Sequence, residues 1–170
     1  MTQTPSTVVF VSLTGDEEIK VYDLDSSSGA LLLRTTNPAH GPSGALFLHP
    51  TLDVLYDAHV ESTTLASFRL DKTTGQVTLI NSVDTGIGIP AHSVTDSLGR
   101  YLLTAYYGGG GITVHHLGED GSMVSRSSTC KPAPKPTPFI FRPTIASSSC
   151  HTYVPPTRPL NSALIPKPVC

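Results

Sequence analysis

Residues 90–123, PAHSVTDSLGRYLLTAYYGGGGITVHHLGEDGSM, carry the pattern on which the fold is read. A short β-prone segment starting at Pro90 is closed by a turn around Asp96, Gly99 and Arg100. Tyr101 to Tyr106 is rich in the aromatic and aliphatic residues that suit a pleated surface. The glycine run Gly108 to Gly111 then predicts a hairpin needing positive φ, followed by a second β-rich run, Ile112 to Leu117. Gly118-Glu119-Asp120-Gly121 closes the unit.

Two earlier stretches follow the same order. Val8-Val9-Phe10 falls on Val54-Leu55-Tyr56, and the turn Asp25-Ser26-Ser27-Ser28-Gly29 on Asp71-Lys72-Thr73-Thr74-Gly75, both at an offset of 46 residues. At 47 or 46 residues further on, Leu55 maps to Leu102, Ala58 to Ala105, Leu70 to Leu117 and Gly75 to Gly121. A four-stranded unit recurring about every 40–50 residues is the period of β-propeller blades, which bury their faces only against one another. The expected fold is therefore all-β: a partial β-propeller of about three four-stranded antiparallel blades over residues 1–123, with a disordered C-terminal tail over 124–170. The first copy lacks its innermost strand, and the third shows no convincing fourth strand.

The composition breaks where the array stops. Residues 1–123 hold 5 Lys and Arg against 13 Asp and Glu, a balance of −8; residues 124–170 hold 6 Lys and Arg and no acid, a balance of +6. The tail also takes ten of the fifteen prolines, none of the glycines and all three cysteines, Cys130, Cys150 and Cys170. Alternating prolines at 132, 134, 136 and 138 forbid a central strand, and the tail reads as disordered or as an out-of-frame end of the array. Three cysteines at such spacing fit neither a zinc pattern nor a disulfide framework and read as free thiols. With a net charge of −2 and no basic stripe, no nucleic-acid partner is expected. The N-terminus has no basic leader region, and its longest apolar run is Val8 to Val11, so no membrane association and a cytoplasmic location are expected.

Three pieces of the array, GPSGALFLHP (41–50), LASFRLDKTTGQVTLINS (65–82) and the 90–122 run with His92, Asp96, Arg100, Tyr101 and Tyr107-Gly108-Gly109-Gly110, resemble the lactonase family of seven-bladed β-propellers. That family includes propeller-type 6-phosphogluconolactonases and the fungal carboxymuconate cyclases. The resemblance covers about residues 7–123, under half of a full-length member. It implies hydrolysis of a sugar lactone, or the related opening and closing of a muconolactone, with a small-molecule lactone bound where inner strands converge on a central channel. No cofactor is implied.

Within that frame His92, at the start of an inner strand, is the candidate catalytic residue, a neutral imidazole able to act as general base toward water. His40, in Pro38-Ala39-His40-Gly41 before the preceding blade, is the candidate substrate-binding residue. The bland alternatives are a capping histidine and a loop histidine. Asp96 with Arg100, and His49 before Pro50, read as turn chemistry. His115 and His116 are adjacent on a strand and point to opposite faces, so no metal site is assigned. The glycine run lacks the G-x-x-x-x-G-K-[ST] pattern of a phosphate loop, and no Gly-x-Ser-x-Gly elbow supports a serine hydrolase. The competing reading from another class is a non-catalytic propeller fragment that self-associates through open blade edges and faces.

Overall fold

The computed structural model describes residues 7–130 of the chain. Eleven strands form three antiparallel sheets among these residues. The first contains β1 (Thr7–Leu13), β2 (Glu18–Leu24) and β3 (Leu31–Pro38) in the order β1-β2-β3. The second contains β4 (Ala45–Leu48), β5 (Val54–Ala58), β6 (Thr64–Leu70) and β7 (Val77–Asp84), in chain order. The third contains β8 (Pro90–Thr95), β9 (Tyr101–Tyr106), β10 (Ile112–Leu117) and β11 (Met123–Cys130). Each sheet is a meander, and the chain crosses from the outermost strand of one to the innermost strand of the next. The inner strands β4 and β8 adjoin, as do the outer strands β7 and β11.

Repetition extends to fine geometry. The third strand of each blade is out of step with its outer neighbour at the same place: between Val21 and Tyr22, between Ser67 and Phe68, and between Val114 and His115. Such bulges increase local twist, which lets successive sheets fan about an axis. The turns repeat as well. Asp25 Oδ1 accepts the Ser27 N–H at 2.9 Å and Asp71 Oδ1 the Thr73 N–H at 2.8 Å, and each turn ends in a glycine with φ of 74° or 78°. Asx turns and a positive-φ glycine are encoded locally, which is why the sequence shows them.

Two cores lie between the sheets. Ile19 and Phe10 of the first pack on Leu55, Ala66, Phe68, Leu70 and Val77 of the second. Val54, Tyr56, Ala58 and Leu65 of the second pack on Leu102, Leu117 and Met123 of the third. Two amides, one buried and one half-buried, reinforce both. Asn37 Nδ2 donates to the Gly75 carbonyl at 3.2 Å while its Oδ1 accepts the Val77 N–H at 3.1 Å. Asn81 makes the same paired contact with Met123, at 2.8 and 3.1 Å. His49 takes the Thr51 and Leu52 N–H groups on Nδ1, as its turn position suggests, and spends Nε2–H on the Gly99 carbonyl of the next blade at 2.9 Å.

The third sheet corrects one expectation. It has its fourth strand, β11, which begins at Met123 and runs past the point where the array seemed to stop. Its sequence, MVSRSSTC, lacks apolar alternation because an outermost strand has one hydrogen-bonded neighbour and a solvated side. The first sheet lacks an innermost strand among the described residues, as expected. A cavity of about 440 Å³ lies between the first and second sheets, lined among others by Val8, Phe10, Leu48, Leu52, Arg34 and Lys72. Those cations are paired, Arg34 with Asp23 and Lys72 with Asp53. The expectations for the proline-rich tail, with Cys150 and Cys170, fall on residues 131–170, outside the described residues.

Candidate functional site

The rim at which β4 and β8 begin, and β5 and β9 finish, carries the candidate residues of the inner strands. His92 stands on the innermost strand of the third blade with its ring exposed. It meets Phe47 of the adjoining inner strand edge-on, with ring centroids 5.0 Å apart. The next residue, Ser93, turns inward and shares a hydrogen bond with Thr104 at 2.8 Å, both side chains fully enclosed. Beside the start of β8 lies the glycine hairpin joining β9 to β10, closed by the Tyr106 N–H on the Gly111 carbonyl, with Gly110 at φ 59°. The Tyr107 N–H donates to Ile89 at 2.9 Å, and a Cβ at Gly109 would approach Ile87 to 2.7 Å. The hairpin thus packs on the loop leading into β8. It is a turn, not a phosphate cradle.

His40 lies on the crossing from β3 to β4, with φ 60° and its ring stacked on Phe68 at 6.2 Å. Phe68 belongs to the third strand of the second blade, whereas Phe47 belongs to the innermost. The two candidate histidines therefore rest on different rings at different distances from the inner strands. His115 is buried and His116 exposed, on opposite faces of β10. Asp96 accepts the backbone N–H groups of Arg100 and Tyr101 at 2.6 and 2.9 Å, as a turn residue does.

The same rim holds a cluster the sequence reading passed over: Ser43, Asp57 and His59, none more than 2% exposed. Asp57 Oδ1 accepts the Gly44 N–H at 3.0 Å, and His59 Nε2 stands 3.7 Å from Oδ2, beyond hydrogen-bond length. Burial pushes the Asp57 carboxyl above the ordinary carboxylate range, opposed by Ser43, Gly44 and His59. A Ser-His-Asp relay needs the imidazole between hydroxyl and carboxylate, with the hydroxyl open to a substrate. Here serine and histidine both address the carboxylate, and nothing is open. The cluster instead anchors the crossing that carries His40: Val60 N–H donates to Pro42, and the ring of His59 occupies the space a Cβ at Gly41 would need, 2.6 Å away. One signal was available in the sequence. Asp57 interrupts an otherwise apolar strand, VLYDA, and His59 follows two positions later.

A family model described as lactonase, 7-bladed beta-propeller, matches residues 7–153. The chain belongs to the lactonase family of seven-bladed β-propellers. Among curated relatives, the 6-phosphogluconolactonase of Serratia proteamaculans is 32% identical over 120 residues, covering 69% of this chain and 35% of that protein. The 6-phosphogluconolactonase of Pectobacterium carotovorum is 29% identical over 118 residues, 67% of this chain and 33% of its own length. This lactonase-family chain thus spans about a third of the curated relatives it matches. Among solved structures, the periplasmic gluconolactonase of Pseudomonas aeruginosa superposes with a TM-score of 0.64 at 18% identity, over 73% of this chain and 36% of that one. A Lactobacillus plantarum protein gives 0.61 at 20% identity, over 74% and 42%. These likenesses show the fold. No helix among the described residues is long and apolar enough to cross a membrane, and none of their His, Cys, Asp and Glu side chains group as three or more metal ligands.

Proposed function

We propose that the chain supplies about three blades of a lactone-hydrolysing propeller whose substrate is a sugar lactone bound on the inner strands. The observation that carries this reading is His92: an exposed imidazole on an inner strand, braced edge-on by Phe47 of the neighbouring inner strand. Neutral imidazole accepts a proton from water as the water oxygen attacks the lactone carbonyl carbon. The ring C–O bond then breaks, and the proton passes to the departing alkoxide, leaving an open-chain hydroxy acid. His40, offset over Phe68, contacts the substrate rather than the reacting atoms. The same geometry would serve a carboxymuconate cyclase-like isomerase, and the relatives named 6-phosphogluconolactonase favour hydrolysis.

The test is lactone disappearance with the purified 170-residue chain, its His92→Ala variant, and the same chain extended to seven blades. A general base contributes about 10²–10⁴-fold, so His92→Ala should remove most of the turnover above the spontaneous rate, while His40→Ala raises KM. Equal rates for the wild type and His92→Ala in the seven-blade protein would refute the assignment.

A second reading has its own support. Leu31, Leu32 and Leu33 on β3 and Val94 and Ile112 on the third sheet are exposed. Uncovered apolar surface of this kind favours a propeller piece that associates with copies of itself.

A further inference from the structure

The repeat supplies an internal standard for Asp57 and His59. Carried on by 47 residues, the two positions become Thr104 and Tyr106 of the third sheet; carried back by 46, they become Val11 and Leu13 of the first. Thr104 and Tyr106 complete neutral hydrogen bonds at 2.8 Å with Ser93 and Thr113, and Val11 and Leu13 are hydrocarbon. A blade of this chain therefore folds without charge at these positions, and the second sheet alone places an acid and an imidazole there. Both are enclosed, and Asp57 Oδ2 and His59 Nε2 face each other at 3.7 Å with neither completing a hydrogen bond.

The crossing from β3 to β4 has two supports. At the first sheet, the Ala39 N–H donates to the Glu17 carbonyl at 2.8 Å and Thr14 Oγ1 to the Ser43 carbonyl at 2.7 Å. At the second, the Gly44 N–H donates to Asp57 Oδ1 at 3.0 Å and the Val60 N–H to the Pro42 carbonyl at 3.1 Å. The His59 ring fills the space beside Gly41. His40, at φ 60°, stands between the two supports.

We propose that Asp57 and His59 are positioning residues for His40, holding the crossing in place while they share a single proton and releasing it when the pair gains a second or loses the first. This rests on His40 as the substrate contact and adds what places it. One shared proton leaves the enclosure without net charge; two leave it positive and none negative, and net charge in an enclosed site is disfavoured. The two groups titrate as a unit, so the apparent values belong to the pair. Burial, which lifts the Asp57 carboxyl, acts in the same direction. The surrounding titratable groups are Asp16, Glu17 and Glu18 at the β1–β2 turn, His40 on the crossing, Glu61 and Asp84 on the second sheet and His92 on β8; none is buried. His59 is the charge that acts on Asp57.

When the crossing opens, the two groups meet water and regain ordinary values, about 4 for the acid and about 6.5 for the imidazole. Between those values the open and closed forms bind the same single proton, so closure does not depend on pH. Above about pH 6.5 the open form binds none, and below about pH 4 it binds two, so opening gains up to about tenfold per pH unit on either side. Hydrogen exchange of the full chain from about pH 5 to 9, corrected for the intrinsic rate, reads this at the Gly44 and Val60 amides, with Leu102 in the ladder of β9 as reference. Protection of Gly44 and Val60 should hold level to about pH 6.5 and then fall, while Leu102 does not follow. His59→Gln leaves a lone acid, so protection should already be falling at about pH 5. Asp57→Asn keeps an acceptor for Gly44 and leaves a lone imidazole, so the slope should reverse, protection rising to about pH 6.5 and then levelling. The two variants are independent, and either suffices if the other misfolds. A wild type with no pH break at Gly44 and Val60, or the same break in a folded variant, would overturn the proposal. In the lactone assay, KM should rise over the range in which protection falls. A KM that ignores pH while protection follows it would overturn His40 as the substrate contact and leave the pair's hold on the crossing.

Discussion

Replacing Asn37 with Ala removes a side chain that is 4% exposed and bridges two blades. Its amide satisfies the Gly75 carbonyl and the Val77 N–H, both at positions closed to water. A buried backbone group left without a partner costs about 1–3 kcal/mol. Two such groups, in a site that relaxes partly, place the loss at about 2–4 kcal/mol, a large share of the roughly 5–15 kcal/mol that holds a domain folded. Equilibrium urea unfolding followed by far-UV circular dichroism reads this as a lower midpoint at constant slope, a shift of about 1–2 M for a slope near 2 kcal/mol per M. Asn37→Asp separates hydrogen bonding from packing. It keeps an acceptor for Val77 but sets a carboxylate against the Gly75 carbonyl, so it should destabilise at least as much as Ala at neutral pH. Thr36→Ala, on the exposed neighbour, is the control. A loss for Asn37→Ala below about 0.5 kcal/mol, the level of ordinary surface changes, would refute the view that these amides join the blades.

Asn81→Ala should lower the midpoint comparably through Met123, and should add to Asn37→Ala because the two lie on different interfaces; strong non-additivity would contradict independent blade contacts. Gly41→Ala must move the His59 ring, since its Cβ would lie 2.6 Å away at φ 152°, and should cost about 2 kcal/mol in the same assay. A wild-type melt for Gly41→Ala would show that the crossing gives way freely. Asp57 makes a pH prediction. Its folded pKa is raised by burial, so its contribution is greatest below the unfolded value of about 4 and is lost as pH rises through the folded pKa. Asp25 and Asp71, held low by hydrogen bonds headed by those from Ser28 and Thr74, act in the opposite sense, gaining stability above about pH 4. Comparing Asp57→Asn with wild type isolates the first effect: the variant should gain stability relative to wild type between pH 4 and 7, and a pH-independent difference in melting temperature would argue against a buried carboxyl.

Ten of the eleven strands were legible because their signals are local. The β-branched run at Val8 to Val11, the alternation of Ile19 and Val21, and the Asp-to-Gly turns at 25–29 and 71–75 each declare themselves within a few residues. β11 was not, because an outer strand is held by its ladder to β10 and asks little of its side chains. His92 could be named from its place before an inner strand. Its partner Phe47 could not, lying 45 positions earlier. Ser43, Asp57 and His59 were visible only as a polar interruption.

By itself the sequence determined the repeat: strand, turn, strand at a 46- or 47-residue interval, with apolar residues on alternate positions of each unit. Pleat and turn chemistry act over a few bonds, so that much is written residue by residue. Only the tertiary structure decided which alternate residues face forward and which face back, that Asn37 and Asn81 join blades, and that Asp57 anchors the crossing beneath His40. Those contacts pair groups about 13 to 42 residues apart. Their energy comes from satisfying buried backbone groups across an interface, and that demand exists only once the sheets are packed.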